Sequence, residues 1–271
     1  MLILALDTST RQASIALLSE EKLYAEYSWH VGNNHSVELL ERVQKLASDC
    51  NLTLSALDGI AVATGPGSFN GVRVAVATAK ALAFALDVPL VGISTLDITS
   101  GQQRQWRGPI CAAIEAGRSE LYAACYAFEP IVQAEGNLQT QMRRLSEPRL
   151  IALSALIEEV PHWIDSQPEQ QPLLFCGELN SASRASIFAT FQQKVRFIPN
   201  SESNRQASVL ATLALPRFQA GLVDDAVTLE PGYLRRPSIT TSTRKQPLLG
   251  KMPDRPTDQN NSEREDGALR H

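Results

Sequence analysis

Two short stretches bring together residue types that could handle a phosphate. Asp7-Thr8-Ser9-Thr10 follows an apolar run. A carboxylate with hydroxyls and free backbone N–H groups in a tight turn can receive phosphate and a magnesium ion. The same residues serve equally as a plain turn whose hydroxyls satisfy its own backbone. Gly65-Pro66-Gly67-Ser68 breaks a second apolar run and opens an alanine-rich segment. Glycine permits close backbone approach, and a helix start offers unsatisfied N–H groups at a positive dipole end. No lysine stands near that turn, and neither G-x-x-x-x-G-K-[ST] nor G-x-G-x-x-G is present. Anion binding and plain strand-to-helix geometry therefore both stay open there.

Other chemistries find less support. His30, His35, His162 and His271 share no metal-ligand spacing, so no metal site is expected. Ser68 lies in P-G-S-F-N-G rather than G-x-S-x-G, which leaves a nucleophile elbow unsupported. Glu115 and Glu120 flank Arg118 on a polar turn and read as a solvated ion-pair cluster rather than an acid/base pair. Cys50, Cys111, Cys125 and Cys176 form no C-x-x-C pair, the pattern of reduced, buried thiols in a cytosolic protein. No catalytic residue is assigned.

The elements that must position these residues follow from hydrophobic periodicity. Leu2–Leu6 reads as a buried strand, and residues 13–19 and 22–28 as a hairpin around Glu20-Glu21. In residues 33–50 the apolar Leu39, Leu40, Val43, Leu46, Ala47 and Cys50 fall in one arc, an amphipathic helix that Asn34 can cap. Residues 59–64 read as a buried strand, Gly71 to Leu86 as a helix ended by Asp87 and Pro89, and residues 89–94 as another strand. The middle repeats this order more loosely: two strands around Glu115–Glu120, helices at 154–160 and 207–218, and a strand at 172–177. The reading is α/β, with an N-terminal lobe over 1–100, a C-terminal lobe over 101–237 and a disordered tail over 238–271.

Bulk numbers agree with a globular protein. Of 271 residues, 44% are hydrophobic, enough for a full core, and no stretch reads as a signal peptide or a membrane span. The net charge is −4, and the chain before Ser238 carries 19 basic against 24 acidic residues. Such a body is a poor stand-alone nucleic-acid binder, because phosphate affinity rests on Lys and Arg.

Taken together, the residues 4–17 stretch "LALDTSTRQASIAL", the "GPGSFNGVR" block at Gly65–Arg73, "IEAGRSELYAA" and "EPGYLRRP" resemble the TsaB (YeaZ) family. Two departures stand out. Asn70 replaces the family's usual Thr, although Asn can also cap a helix. Glu115-Ala-Gly-Arg118-Ser-Glu120 replaces D-A-R-R-x-E. The resemblance implies the actin/Hsp70/sugar-kinase fold, two related lobes each with a mixed sheet flanked by helices. It implies cytoplasmic work in making threonylcarbamoyladenosine beside the tRNA anticodon. It implies a heterodimer with the paralogue TsaD, which performs the transfer, and a TsaE-type ATPase that joins the pair, with no membrane role. tRNA is then engaged through the complex, and a homodimer is an option for the isolated chain. TsaD-like proteins carry a metal-binding H-x-x-x-H where this chain has Thr95 and Thr99, so ATP and a metal ion belong to partner subunits and none to this chain alone. Within this resemblance the glycine turn presents a helix to the partner. Phosphate contact at Asp7, Thr8, Ser9, Gly65, Gly67 and Ser68 stays as the other reading. The competing functions are a free-standing ATPase or small-molecule kinase of the same fold, and a peptidase.

The partner surface is expected on two helices. On the second, Ala75, Ala79, Leu82 and Leu86 share one side, assigned to the sheet. Arg73, Ala77, Lys80, Ala81 and Phe84 share the other, where small residues beside one aromatic suit helix–helix docking. The first helix adds His35, Leu39, Val43 and Leu46 to the expected interface.

Overall fold

A computed structural model describes residues 1–31, 35–132, 138–165 and 171–235. Asn34 and the tail from 238 lie outside the described residues, as does the side chain of His35.

The first lobe begins with β1 (Leu2–Asp7), β2 (Gln12–Ser19) and β3 (Leu23–His30). It continues through α1 (His35–Asp49), β4 (Gly59–Ala63), α2 (Phe69–Leu86), β5 (Leu90–Ile93) and α3 (Thr95–Gly101). Its sheet runs β3-β2-β1-β4-β5, the first three strands antiparallel and β4 and β5 parallel to β1. The side-chain period of two divides each strand between two faces. Leu4, Leu6, Ile60 and Val62 pack with Leu39, Val43 and Leu46 of α1 and Val72, Ala75 and Ala79 of α2. Ile3, Ala5, Ala61 and Ala63 face the opposite way.

The second lobe repeats this order with β6 (Ile110–Gly117), β7 (Glu120–Val132), β8 (Leu138–Arg144), β9 (Arg149–Ala152) and α4 (Leu153–Asp165). Then come β10 (Leu173–Glu178), α5 (Ser181–Phe191), β11 (Val195–Phe197) and α6 (Ala207–Gln219). Its sheet, β11-β10-β6-β7-β8, has the same orientations, with β9 added against β7. Position for position this is the first sheet's topology, so the expected pair of related lobes is present.

The packing does not divide at residue 100. α6, from the second half, lays Ala207, Leu210, Ala214 and Phe218 on the open face of the first sheet. In exchange, α3 places Leu96 against Ile110, Ala112 and Cys176 of the second sheet. Each lobe is thus completed by the helix at the end of the other repeat, with α3 and α6 meeting between them. Met1 to Arg236 form one compact unit.

After α6 the chain runs back along the first lobe. Asp224 pairs with Leu90, its carboxylate accepts the Gly92 N–H at 2.7 Å, and Arg217 donates to the Gly92 carbonyl at 2.9 Å. Lys80 donates to the carbonyls of Val227 and Leu229, and the Gly232 N–H reaches the Thr64 carbonyl. Tyr233 stacks on Phe69, and Arg235 crosses to the second lobe, where it bonds the Ala116 carbonyl and Glu120.

Candidate functional site

Asp7, Thr8, Ser9 and Thr10 are all buried, at 0%, 1%, 0% and 5% exposure. The Asp7 carboxylate is fully committed. Its Oδ1 accepts the Ser9 N–H at 2.8 Å and the Ser9 hydroxyl at 2.5 Å, and its Oδ2 accepts Nε of Arg205 at 2.8 Å. Arg205, in the loop just before α6, is 1% exposed. Its Nη1 donates to Glu178 Oε1 at 2.7 Å, and its Nη2 donates to the Thr10 hydroxyl at 2.6 Å and the Gln12 carbonyl at 3.2 Å. Burial is the largest influence on this guanidinium and would lower its pKa. The Asp7 and Glu178 charges outweigh it, so the net shift is upward.

The glycine turn closes the same place from the other side. The Ser68 N–H donates to the Ser9 carbonyl at 2.6 Å, and the Thr8 hydroxyl donates to the Gly71 carbonyl at 2.7 Å. A Cβ on Gly67 would lie 2.0 Å from the Ser9 oxygen, and one on Gly71 would lie 2.0 Å from that of Thr8. Glycine is required at both positions for close approach. The Gly65 carbonyl accepts the Thr95 N–H. The two phosphate-turn candidates therefore satisfy each other. The polar groups of Asp7, Thr8 and Ser9 face Arg205 and the glycine turn.

A cavity of about 650 Å³ does lie between the lobes, lined by Arg11, Gly67, Ser68, Glu115, Tyr122 and Asn180 among others. Gly67 and Ser68 reach its wall; Asp7, Thr8 and Ser9 do not. Ser68 caps α2 by accepting the Gly71 N–H at 3.3 Å. Asn70 sits exposed inside the helix, so it is not the cap expected from sequence. Glu115 accepts the Asn180 N–H at the start of α5, and Glu120 pairs with Arg235 rather than Arg118. Thr99 returns its hydroxyl to the Thr95 carbonyl within the buried α3. No cluster of three metal-ligating side chains occurs among the described residues.

The expected interface residues separate into two groups. Leu39, Val43 and Leu46 are 0% exposed and lie in the core of this chain. The apolar arc of α1 packs on its own sheet, and Leu40, 42% exposed, is its outward leucine. On α2 the buried set is Val72, Ala75, Val76, Ala79 and Ala83, with Leu82 and Leu86 half-buried. The opposite face carries Phe84 at 86% exposure beside exposed Ala77, Ala81 and Arg73, whose guanidinium lies 4.9 Å over the Phe69 ring. Lys80 points along this side but is tied to the 222–235 segment. By length and composition α2 could cross a membrane; in this fold one face of it packs on the first sheet.

Two lobes of one topology, with the first turn of one lobe filled by the chain's own Arg205, define a duplicated α/β protein. A family profile described as TsaD, tRNA N6-adenosine threonylcarbamoyltransferase, matches residues 30–242. The tRNA threonylcarbamoyladenosine biosynthesis protein TsaB of Bacillus subtilis is 31% identical over 236 residues, covering 87% of this chain and 94% of that one. TsaB of Escherichia coli is 34% identical over 130 residues, covering 46% and 55%. A crystal structure from Pseudomonas aeruginosa, described as similar to peptidase YeaZ, superposes with a TM-score of 0.68 at 27% identity, covering 86% and 99%. The chain belongs to the TsaB family.

Proposed function

We propose that this chain is a non-catalytic platform subunit in the biosynthesis of threonylcarbamoyladenosine in tRNA, and that it binds and stabilises a TsaD-type paralogue. The single observation that carries this reading is the outward face of α2. Phe84 stands 86% exposed beside Ala77 and Ala81, on a helix whose other face is locked into the sheet. Small residues let a second helix approach closely, and one large aromatic supplies the anchor of an interface. Leu40 on the adjacent α1 extends the surface, so two helices of this chain meet two of the partner.

The commitment of Asp7 to Arg205 supports placing catalysis elsewhere. ATP and the metal ion are held by the TsaD-type and TsaE-type subunits, and tRNA is engaged through the complex in the cytoplasm. The isolated chain pairs with itself through the same face when the partner is absent. A free-standing kinase of this fold would need the Asp7 carboxylate for its own cation, and here an arginine holds it.

Calorimetric titration with the TsaD-type partner tests the reading. Phe84→Glu should weaken binding by about 2 kcal/mol or more. Thermal melts of the free chain should move by less than about 1 kcal/mol. Unchanged affinity would remove α2 from the interface and the platform reading with it.

A further inference from the structure

Four acceptors from two lobes converge on one point: Asp7 Oδ2 and the Thr10 hydroxyl at the β1–β2 turn, the Gln12 carbonyl, and Glu178 Oε1 at the end of β10. Each accepts a different N–H of one planar group, at 2.6–3.2 Å. The acceptors are also bonded to one another. Thr10 donates its own hydroxyl proton to Glu178 Oε1 at 2.5 Å while accepting from Arg205. Asp7 is held from behind by Ser9.

This is more than a chance ion pair. A buried pair tends to lose as much in desolvation as it gains in attraction unless its geometry is good and its remaining polar groups are satisfied. Here four of the five N–H groups of the guanidinium fork meet an acceptor. Asp7 and Arg205 are 0% and 1% exposed, and Glu178 is about one-third exposed at the cavity wall.

We propose that Asp7, Thr10, Gln12 and Glu178 form an inter-lobe cation site, specific for a planar guanidinium, whose ligand is built into the chain as Arg205. From its loop before α6 the side chain links the β1–β2 turn of the first lobe to the end of β10 in the second and holds the lobes together. The directional N–H groups, not charge alone, are what the cradle recognises. A spherical metal ion or an ammonium cannot reproduce four in-plane donors.

The test is chemical rescue in the full chain. Arg205→Ala should melt lower than the parent, and guanidinium chloride at low millimolar concentration should raise its melting temperature saturably, by about 3 °C. The parent, its site filled, should show no such rise. Sodium or magnesium chloride at equal ionic strength should leave the variant where it was. No rise with guanidinium, or the same rise with either salt, overturns the proposal.

Should Arg205→Ala not fold, arginine side-chain NMR of the parent decides. One guanidinium should show slowed hydrogen exchange and hindered rotation of its Nη groups, and Glu178→Ala should release that signal. Arginine signals that all rotate and exchange freely in the parent, or a hindered signal untouched in Glu178→Ala, would refute it.

Discussion

The turns that join the first two strands of each lobe occupy equivalent places and differ in almost every physical respect. In the first lobe, Asp7–Thr10 is buried, bonded to Arg205 and pressed against the glycine loop. In the second, Gly117-Arg118-Ser119 stands in solvent with positive φ at all three residues, and a Cβ on Gly117 would meet nothing within 4 Å. One backbone topology thus yields a fixed joint in one copy and a free hairpin in the other. The difference lies in what the chain sends back to each. Arg205 and Gly67 return to the first turn, whereas the second receives the exposed-side contacts of Arg235, on Glu120 and the Ala116 carbonyl, and of the Leu153 N–H, on the Ser119 carbonyl.

Removing the acid of each turn should expose the contrast most strongly. Asp7→Ala leaves a buried guanidinium short of its main counter-charge and should cost about 3–5 kcal/mol in chemical denaturation. Glu120→Gln breaks a partly solvated pair and should cost less than about 1 kcal/mol. Equal losses would mean that the two turns bear similar loads.

Adding one carbon to each turn gives the next largest difference. Gly67→Ala drives a methyl into the Ser9 carbonyl, 2.0 Å away, and should cost about 3 kcal/mol as the two loops part. Gly117→Ala meets only the strain of its backbone, φ +74°, about 1 kcal/mol. Denaturant midpoints of the two variants rank them directly.

The comparison extends to the helices that follow. α2 and α5 hold equivalent places, and the most exposed phenylalanine of each is Phe84 at 86% and Phe188 at 52%. With Phe84→Glu weakening partner binding by about 2 kcal/mol, Phe188→Glu should change it by less than about 0.5 kcal/mol. If titration finds Phe188 the more sensitive, the docking lobe has been assigned wrongly.

The smallest effect is a pH slope. Burial, and then the Asp97 carboxylate beside it, raise the Tyr126 pKa far above the ordinary 10.0. The folded chain keeps that proton while the unfolded chain loses it. The associated stability is therefore complete below about pH 10 and falls above it by about 1.4 kcal/mol per pH unit. Tyr126→Phe has no such proton, so its stability should decline less steeply between pH 10 and 11 in urea titrations. Identical slopes would show that Tyr126 titrates normally.

Strong patterns made much of the fold readable. The strands of the first lobe, its hairpin and its two amphipathic helices carry clear periods in the sequence. α3 escaped because every residue from Thr95 to Gly101 is buried, which leaves no polar face to set a period. α5 escaped for the opposite reason. Its outward residues are Ala, Ser and Thr with one Phe, so little contrast separates its two sides. β8, with the residues LQTQMRR, has too few apolar positions to mark a strand. Arg205 left no signal at all. A lone arginine in a loop has no spacing, and its partner Asp7 lies 198 residues away. The apolar arc of α1 was legible, yet its use was not. Such an arc packs first on its own sheet, which is where Leu39, Val43 and Leu46 went.

The segment after α6 has one further consequence, for self-association. β5 is the last strand of the first sheet, and on its outer side Leu90 and Gly92 would offer unpaired main-chain groups to any extended peptide. Asp224 takes up the Leu90 carbonyl with its backbone and the Gly92 amide with its carboxylate, and Arg217 takes up the Gly92 carbonyl. Two charged side chains thus stand in for a sixth strand. This sheet margin is thereby kept unable to recruit an extended chain.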